Sequence, residues 1–199
     1  PCGYKLVEAG RGEIGVPPPF AFSPLCPDGD EPAMRSPLGE DDGARFKRGL
    51  LIHRLMQTLP DLPPDAREAA ARRYLARPGH ELTAERQDEI ASETMRVLTD
   101  PRFSRLFGPN SRAEVEVVGL VTGRALSGRV DRLVIEDDAV WIVDYKTNRP
   151  PPVRAEDVPP VYVRQMEAYR AALRAIYPDK AVRCVLLWTD TPALMELPE

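Results

Sequence analysis

Cysteine is scarce and poorly spaced for chemistry. The three present, Cys2, Cys26 and Cys184, form no Cys-x-x-Cys or similar ligand spacing. Neither a zinc site nor a disulfide framework is indicated, and a reducing cytosol fits. No apolar run approaches the roughly 20 residues of a membrane span, and no signal peptide is visible. An excess of basic charge is missing too: 27 Lys and Arg stand against 31 Asp and Glu, a net charge of −4. Any nucleic-acid footprint must therefore be local. There is no Gly-x-x-x-x-Gly-Lys-[Ser/Thr] loop, so this chain is not expected to bind ATP by a P-loop. A Ser-His-Asp arrangement and a Cys nucleophile are absent as well. The chain opens at Pro1 without a methionine, in a proline-rich stretch, and reads as a fragment of a longer polypeptide or a processed chain.

Proline is what the chain has in excess, 22 of 199 residues, gathered in the first forty positions and between 150 and 160. Residues 1–44, with Pro17-Pro18-Pro19 and little periodicity, read as a linker or peripheral segment. Residues 45–199 are enough for one domain with a sizeable core. A helix is predicted from Arg45 to just before Pro60, with Leu51, Ile52, Leu55, Met56 and Leu59 on its apolar face. Asp65 with Glu68 reads as a cap and its reciprocal partner, opening a helix that Pro78-Gly79 stops. A third helix runs from Thr83 to Leu98, burying Ile90, Met95 and Val97. A strand follows with Glu114, Glu116 and Val118 on one face, then a turn at Gly123. After a hairpin and a proline-broken loop come a helix from Tyr162 to Tyr177 and a buried-type strand over 183–188. This order predicts an α/β (α+β) core, a mixed sheet flanked by helices.

The chain is organised around residues 128–147, GRVDRLVIEDDAVWIVDYKT. Two apolar strands are joined by an acidic turn at Glu136, Asp137 and Asp138. Side chains two apart on a strand share a face, so Asp144 and Lys146 project together, and a hairpin can bring Asp131 beside them. Taken singly, each reads as a solvated charge. Taken together, two carboxylates and an ammonium on strands rich in Val, Ile and Leu are costly to bury unless they pair or hold a metal. Carboxylates with an open coordination sphere suit Mg²⁺ or Mn²⁺, which fits phosphodiester hydrolysis, with Lys146 holding water or stabilising charge. His53, off the centre of its helix face, reads by itself as a boundary residue. Gln165 and Tyr169, four apart on one helix face, read by themselves as a surface and a core residue.

The set GLLIH ending at His53, GRVDR around Asp131, Asp144-Tyr145-Lys146-Thr147 and Gln165-x-x-x-Tyr169 resembles the RecB-type branch of the PD-(D/E)XK nucleases. In detail it is similar to the C-terminal nuclease domains of the AddA type, found in bacterial AddAB helicase-nucleases of alphaproteobacterial form. The resemblance covers about the last three quarters of the chain. It implies a restriction-endonuclease-like core behind an N-terminal helical region. It also implies metal ligands at His53, Asp131, Asp144 and the Tyr145 carbonyl, a catalytic Lys146, and a DNA-orienting pair in Gln165 and Tyr169. The implied protein is a cytoplasmic, bacterial, Mg²⁺-dependent deoxyribonuclease. It would cut single-stranded DNA delivered by a helicase region of the same polypeptide, alongside an AddB-type partner subunit, in double-strand break repair and recombination. The cysteines lack the arrangement that holds an iron–sulfur cluster in AddB-type relatives, so no such cluster is expected. Whether Glu116 reaches the metal is left open. Two alternatives stand beside this reading: a catalytically silent DNA-holding or docking module, and a stand-alone RecB-like nuclease.

Overall fold

The alternation over 111–146 sets the architecture, because it places two ladders of apolar side chains on opposite sheet faces. The computed structural model describes residues 5–7, 40–121 and 124–199. Strand β1 (Lys5–Val7) is followed by helices α1 (Glu40–Thr58), α2 (Pro64–Leu75) and α3 (Ala84–Leu98). The strands β2 (Ser111–Val121), β3 (Arg124–Ile135) and β4 (Ala139–Lys146) come next, then helix α4 (Pro160–Ile176), β5 (Ala181–Trp188) and β6 (Ala193–Glu196). They form one six-stranded sheet in sequential order from β1 to β6. Every neighbouring pair is antiparallel except β4 and β5. A parallel pair needs a crossover, and α4 supplies it.

The mixed sheet flanked by helices agrees with the fold class expected from the sequence. Against one face pack Ile52, Leu55 and Met56 of α1, Leu75 of α2 and Ile90 of α3, meeting Val143, Tyr145 and Leu187. Against the other pack Met166, Tyr169 and Leu173 of α4, meeting Ile142, Cys184 and Leu186. The even positions of β4 therefore face α4 and the odd ones face α1.

Several local expectations need correcting. Helix α1 begins at Glu40, inside the stretch read as linker, and Lys5–Val7 of that stretch pairs with β2 through Val7↔Glu116. The remainder of that stretch, Cys2, Cys26 and the Gly123 turn lie outside the described residues. Asp65 does not cap α2. Pro63 occupies that position without a side-chain hydrogen bond, since its ring carries no acceptor, and Pro64 after it at the first helical position has no N–H to satisfy. Asp65 sits in the first turn, and Glu68 pairs with Arg72 at 3.2 Å. Strand β6 was not foreseen. Among the described residues no helix is long and apolar enough to cross a membrane.

Candidate active site

Asp131 stands where the sheet changes phase. Val130 packs on the α4 side of the sheet, and strict alternation would put Arg132 there too. Instead Arg132 reaches the α1 side, where its guanidinium donates to the Met56 carbonyl at 2.9 Å and the Tyr145 hydroxyl at 2.6 Å. The β2–β3 ladder pairs Ala113 with Arg132 and Val115 with Val130, and lapses at Glu114 and Asp131 between them. Glu114 has φ of 54°, a left-handed conformation that ordinarily costs a non-glycine residue about 1–3 kcal/mol. On the other side, the β3–β4 ladder ends at Arg132↔Val143. One step further in that register sets Asp131 across from Asp144.

Freed from both ladders, the Asp131 carboxylate takes on side-chain work. Its Oδ2 accepts the Tyr145 backbone N–H at 2.7 Å, and its Oδ1 lies 3.3 Å from His53 Nδ1. The His53 ring meets the Tyr145 ring edge-on at 5.6 Å. Asp144 and Lys146 follow the even-numbered side of β4, with Lys146 Nζ 2.5 Å from Asp144 Oδ2. That oxygen is buried and makes no hydrogen bond of good geometry, so an opposite charge lies beside it while its lone pairs stay available. Lys146 Nζ also sits over the Tyr162 ring, 3.8 Å from its centroid, a cation–π contact from α4.

The electrostatics follow from this crowding. Burial pushes Asp131 up, but the His53 charge and hydrogen bond, the Tyr145 N–H and Lys146 outweigh it and hold the carboxyl below its usual range. Asp144 goes the other way: burial, reinforced by the Asp131 charge, exceeds the pull of Lys146 and raises it. Burial disfavours the Lys146 ammonium, yet Asp144 beside it holds its pKa above the ordinary lysine value. His53 is likewise raised, because Asp131, helped by Asp144, overcomes its desolvation. Two carboxylates pushed in opposite directions at one spot are a recurring mark of a functional centre.

The structure thus gathers His53, Asp131, Asp144, Tyr145 and Lys146. Gln165 and Tyr169 stand one step back. Gln165, one turn before Tyr169 on α4, lowers the Tyr169 phenol pKa against the larger effect of burial, which leaves it raised. The Tyr169 hydroxyl donates to the Arg129 carbonyl at 3.2 Å. Glu116 is half-exposed and pairs with Arg129 at 3.1 Å. Glu114, which sequence reasoning placed on the same face without giving it a role, is the acid closer in effect to the centre. Burial and the Asp131 charge both raise its pKa. The signal for it in the sequence was only its position 17 residues before Asp131, with nothing to mark the break in the ladder.

Among the described residues no three His, Cys, Asp or Glu side chains converge as a ready-made metal cage. A Mg²⁺-type cation does not require one. It binds through one or two carboxylates and completes its shell with water and phosphate oxygens. Half-buried Asp131 and buried Asp144, the latter with an oxygen lacking a well-formed hydrogen bond, fit that demand.

The chain belongs to the PD-(D/E)XK nuclease superfamily, whose family model matches residues 32–195. Among solved structures, the chain is similar to protein VC1899 from Vibrio cholerae at 10% identity and a TM-score of 0.31, covering 75% of this chain and 48% of that one. It is also similar to SSO0001 at 14% identity and a TM-score of 0.34, covering 78% of this chain and 77% of that one. The chain thus spans about half the length of the Vibrio cholerae protein. No curated protein matches the sequence.

Proposed function

We propose that this chain hydrolyses phosphodiester bonds of single-stranded DNA with Mg²⁺, or Mn²⁺, as cofactor. The observation that carries the reading is the juxtaposition of buried Asp144 and half-buried Lys146 at the end of β4 with half-buried Asp131 of β3, and with His53 delivered from α1. Asp131 and Asp144 would hold the cation, with His53 and the Tyr145 carbonyl as further ligands. When bound, the cation supplies Lewis-acid polarisation of a phosphoryl oxygen and a more acidic water.

The chain's own residues do the rest. Lys146 keeps its proton at neutral pH beside Asp144, so it acts as a charged donor and not as a base. It can orient an attacking water and stabilise the negative charge that grows on the phosphoryl oxygens. Tyr145 N–H fixes the rotamer of Asp131, which fixes where its second oxygen points. Tyr169 braces β3 at Arg129, two residues before Asp131, and with Gln165 one turn away on α4 would set the edge along which a strand lies.

The wider role we propose is that of a nuclease domain behind a helicase motor, of the AddA type, working in the bacterial cytoplasm with an AddB-type subunit in break repair. Its support is the set of four motifs in order: GLLIH ending at His53, GRVDR around Asp131, Asp144-Tyr145-Lys146-Thr147 and Gln165-x-x-x-Tyr169.

The test compares wild type with Asp144→Ala on end-labelled single-stranded DNA in Mg²⁺, Mn²⁺ or EDTA. Cutting that needs the metal and disappears in the folded variant is expected. Equal cutting by the two proteins, or cutting undiminished in EDTA, would overturn the assignment.

A further inference from the structure

Next to Lys146 lies a cavity of about 420 Å³, within the roughly 300–1,000 Å³ typical of sites for small organic groups. Arg45 of α1, Asn148 and Arg149 of the loop after β4, Tyr162 of α4 and Trp188 of β5 contribute to its wall. One ring joins it to the catalytic centre. Tyr162 lines the cavity while Lys146 Nζ lies over the same ring, 3.8 Å from its centroid.

The wall is built to stay in place. Pro150, Pro151 and Pro152 form part of it, and their φ angles are fixed covalently. Arg149 is held by Glu89 at 2.5 Å, Glu93 at 2.7 Å and Asp190 at 2.8 Å. Its charge is matched, and what it offers is a fixed planar surface. An acid in the wall, Asp157, is already paired with Arg154 at 3.1 Å. Arg45 is exposed and pairs with no carboxylate among the described residues, which leaves its charge for an incoming anion.

The polar groups are few and incompletely used. The Tyr162 hydroxyl donates to Asn148 Oδ1 at 3.2 Å, leaving the Asn148 NH₂ for another acceptor. Trp188 is 1% exposed, and its indole Nε1 has no hydrogen-bond partner. Aromatic and guanidinium planes, one amide and one available cation suit a flat heteroaromatic ring attached to a phosphate.

We propose that this cavity is a nucleoside subsite. It receives one base of a single-stranded DNA segment against the Tyr162 ring, with a phosphate of that segment on Arg45 and the phosphate to be cleaved at Lys146. The proposal rests on reading the neighbouring centre as DNA-cleaving, and it supplies a reason for strand choice. A base can enter only after leaving its duplex stack, so paired DNA is refused without a separate gate. Little base identity is read, because every base offers a π-face.

The experiment uses the full chain carrying Trp141→Phe, which leaves Trp188 as the single tryptophan of the two. In EDTA it is titrated with an oligodeoxythymidylate of about eight nucleotides, within the usual span of a single-strand groove. A sugar-phosphate chain of the same length without bases is the comparison. Quenching of Trp188 by the oligonucleotide is expected, with binding about tenfold tighter than to the abasic chain, the contribution of one stacked base. Tyr162→Phe should keep that difference and Tyr162→Ala should erase it. Equal binding of the two ligands by the protein with Tyr162 intact, without quenching, would overturn the subsite. Cutting assays in Mg²⁺ separate the two ideas. Cutting without base-dependent binding sinks the subsite alone, whereas base-dependent binding without cutting under any metal sinks the hydrolase alone.

Discussion

Asp131 answers to two partners, and its substitution should be read through one of them. His53 is raised above its ordinary value because the Asp131 charge and hydrogen bond, with help from Asp144, outweigh burial. Asp131→Asn removes that charge and leaves desolvation opposed chiefly by Asp144, so the His53 pKa is expected to fall below its value in the wild type. Imidazole proton shifts followed by NMR in EDTA would show it, and an unchanged titration would refute the pairing. The sign for stability follows from linkage. A raised histidine stabilises the metal-free fold fully below pH 6.5, and that contribution is lost as the pH rises through the folded pKa. Melts of wild type and His53→Gln in EDTA should converge as the pH climbs through that window. Lys146→Met leaves buried Asp144 without its partner, so it should lower stability by up to about 3 kcal/mol. It should also lower cutting by the folded protein about a hundredfold or more, the scale of losing one electrostatic stabiliser. Residual cutting within a few-fold of wild type would remove Lys146 from its role. Gly128 has a simpler constraint: a Cβ there would lie 2.7 Å from Tyr169 Cε1. Gly128→Ala is expected to cost about 1–3 kcal/mol in denaturant unfolding, the usual penalty of overpacking.

At the scale of elements, the centre is held by a clamp that no motif announced. Glu93 of α3 is fully buried. It pairs with Arg48 of α1, with Arg149 of the loop after β4 at 2.7 Å, and with the Thr189 hydroxyl at 2.5 Å. Arg48 also donates to the Thr147 carbonyl at 2.9 Å, next to Lys146. Glu93→Ala leaves two guanidinium groups without their shared anion and is expected to cost about 3 kcal/mol, the scale of breaking a buried pair. Thr189→Val should cost about 1 kcal/mol. Chemical denaturation of both variants would check the ranking, and a Glu93→Ala protein as stable as wild type would refute the clamp. Much else at this scale was legible. Asp144 and Lys146 could be placed together because strand periodicity is local, and α3 because Thr83 caps it by accepting from Arg86 N–H. Glu93 could not be found this way. It sits on an arginine-rich helix like any solvated acid, and its partners lie 45, 56 and 96 residues away. The phase shift at Asp131 was hidden for a related reason: the charged pair Asp131-Arg132 followed by Leu133-Val134-Ile135 fits either strand phase, and the break depends on Glu114 across the ladder. The cap assigned to Asp65 failed because Pro63 and Pro64 start the helix without one.

For the molecule as a whole, the net charge of −4 limits how strand binding can work. Among the described residues, Arg48, Arg129, Lys146 and Arg149 around the centre are each paired with a carboxylate, so affinity should depend only mildly on salt. A plot of log affinity against log salt is expected to have a slope of about −2, that is, about three phosphates neutralised on a single strand. A slope several times steeper would point to a basic surface outside the described residues.

The parallel seam between β4 and β5 has a consequence in time. Lys146 is paired with Trp188, and the Thr189 N–H closes on the Lys146 carbonyl at 3.0 Å. His53, Asp131 and Asp144 are therefore all synthesised well before the strand that braces their shared end. A nascent chain halted short of Trp188 carries His53, Asp131, Asp144 and Lys146 but not the β5 partner that fixes Lys146. During translation the candidate centre therefore waits for β5 before its geometry can set.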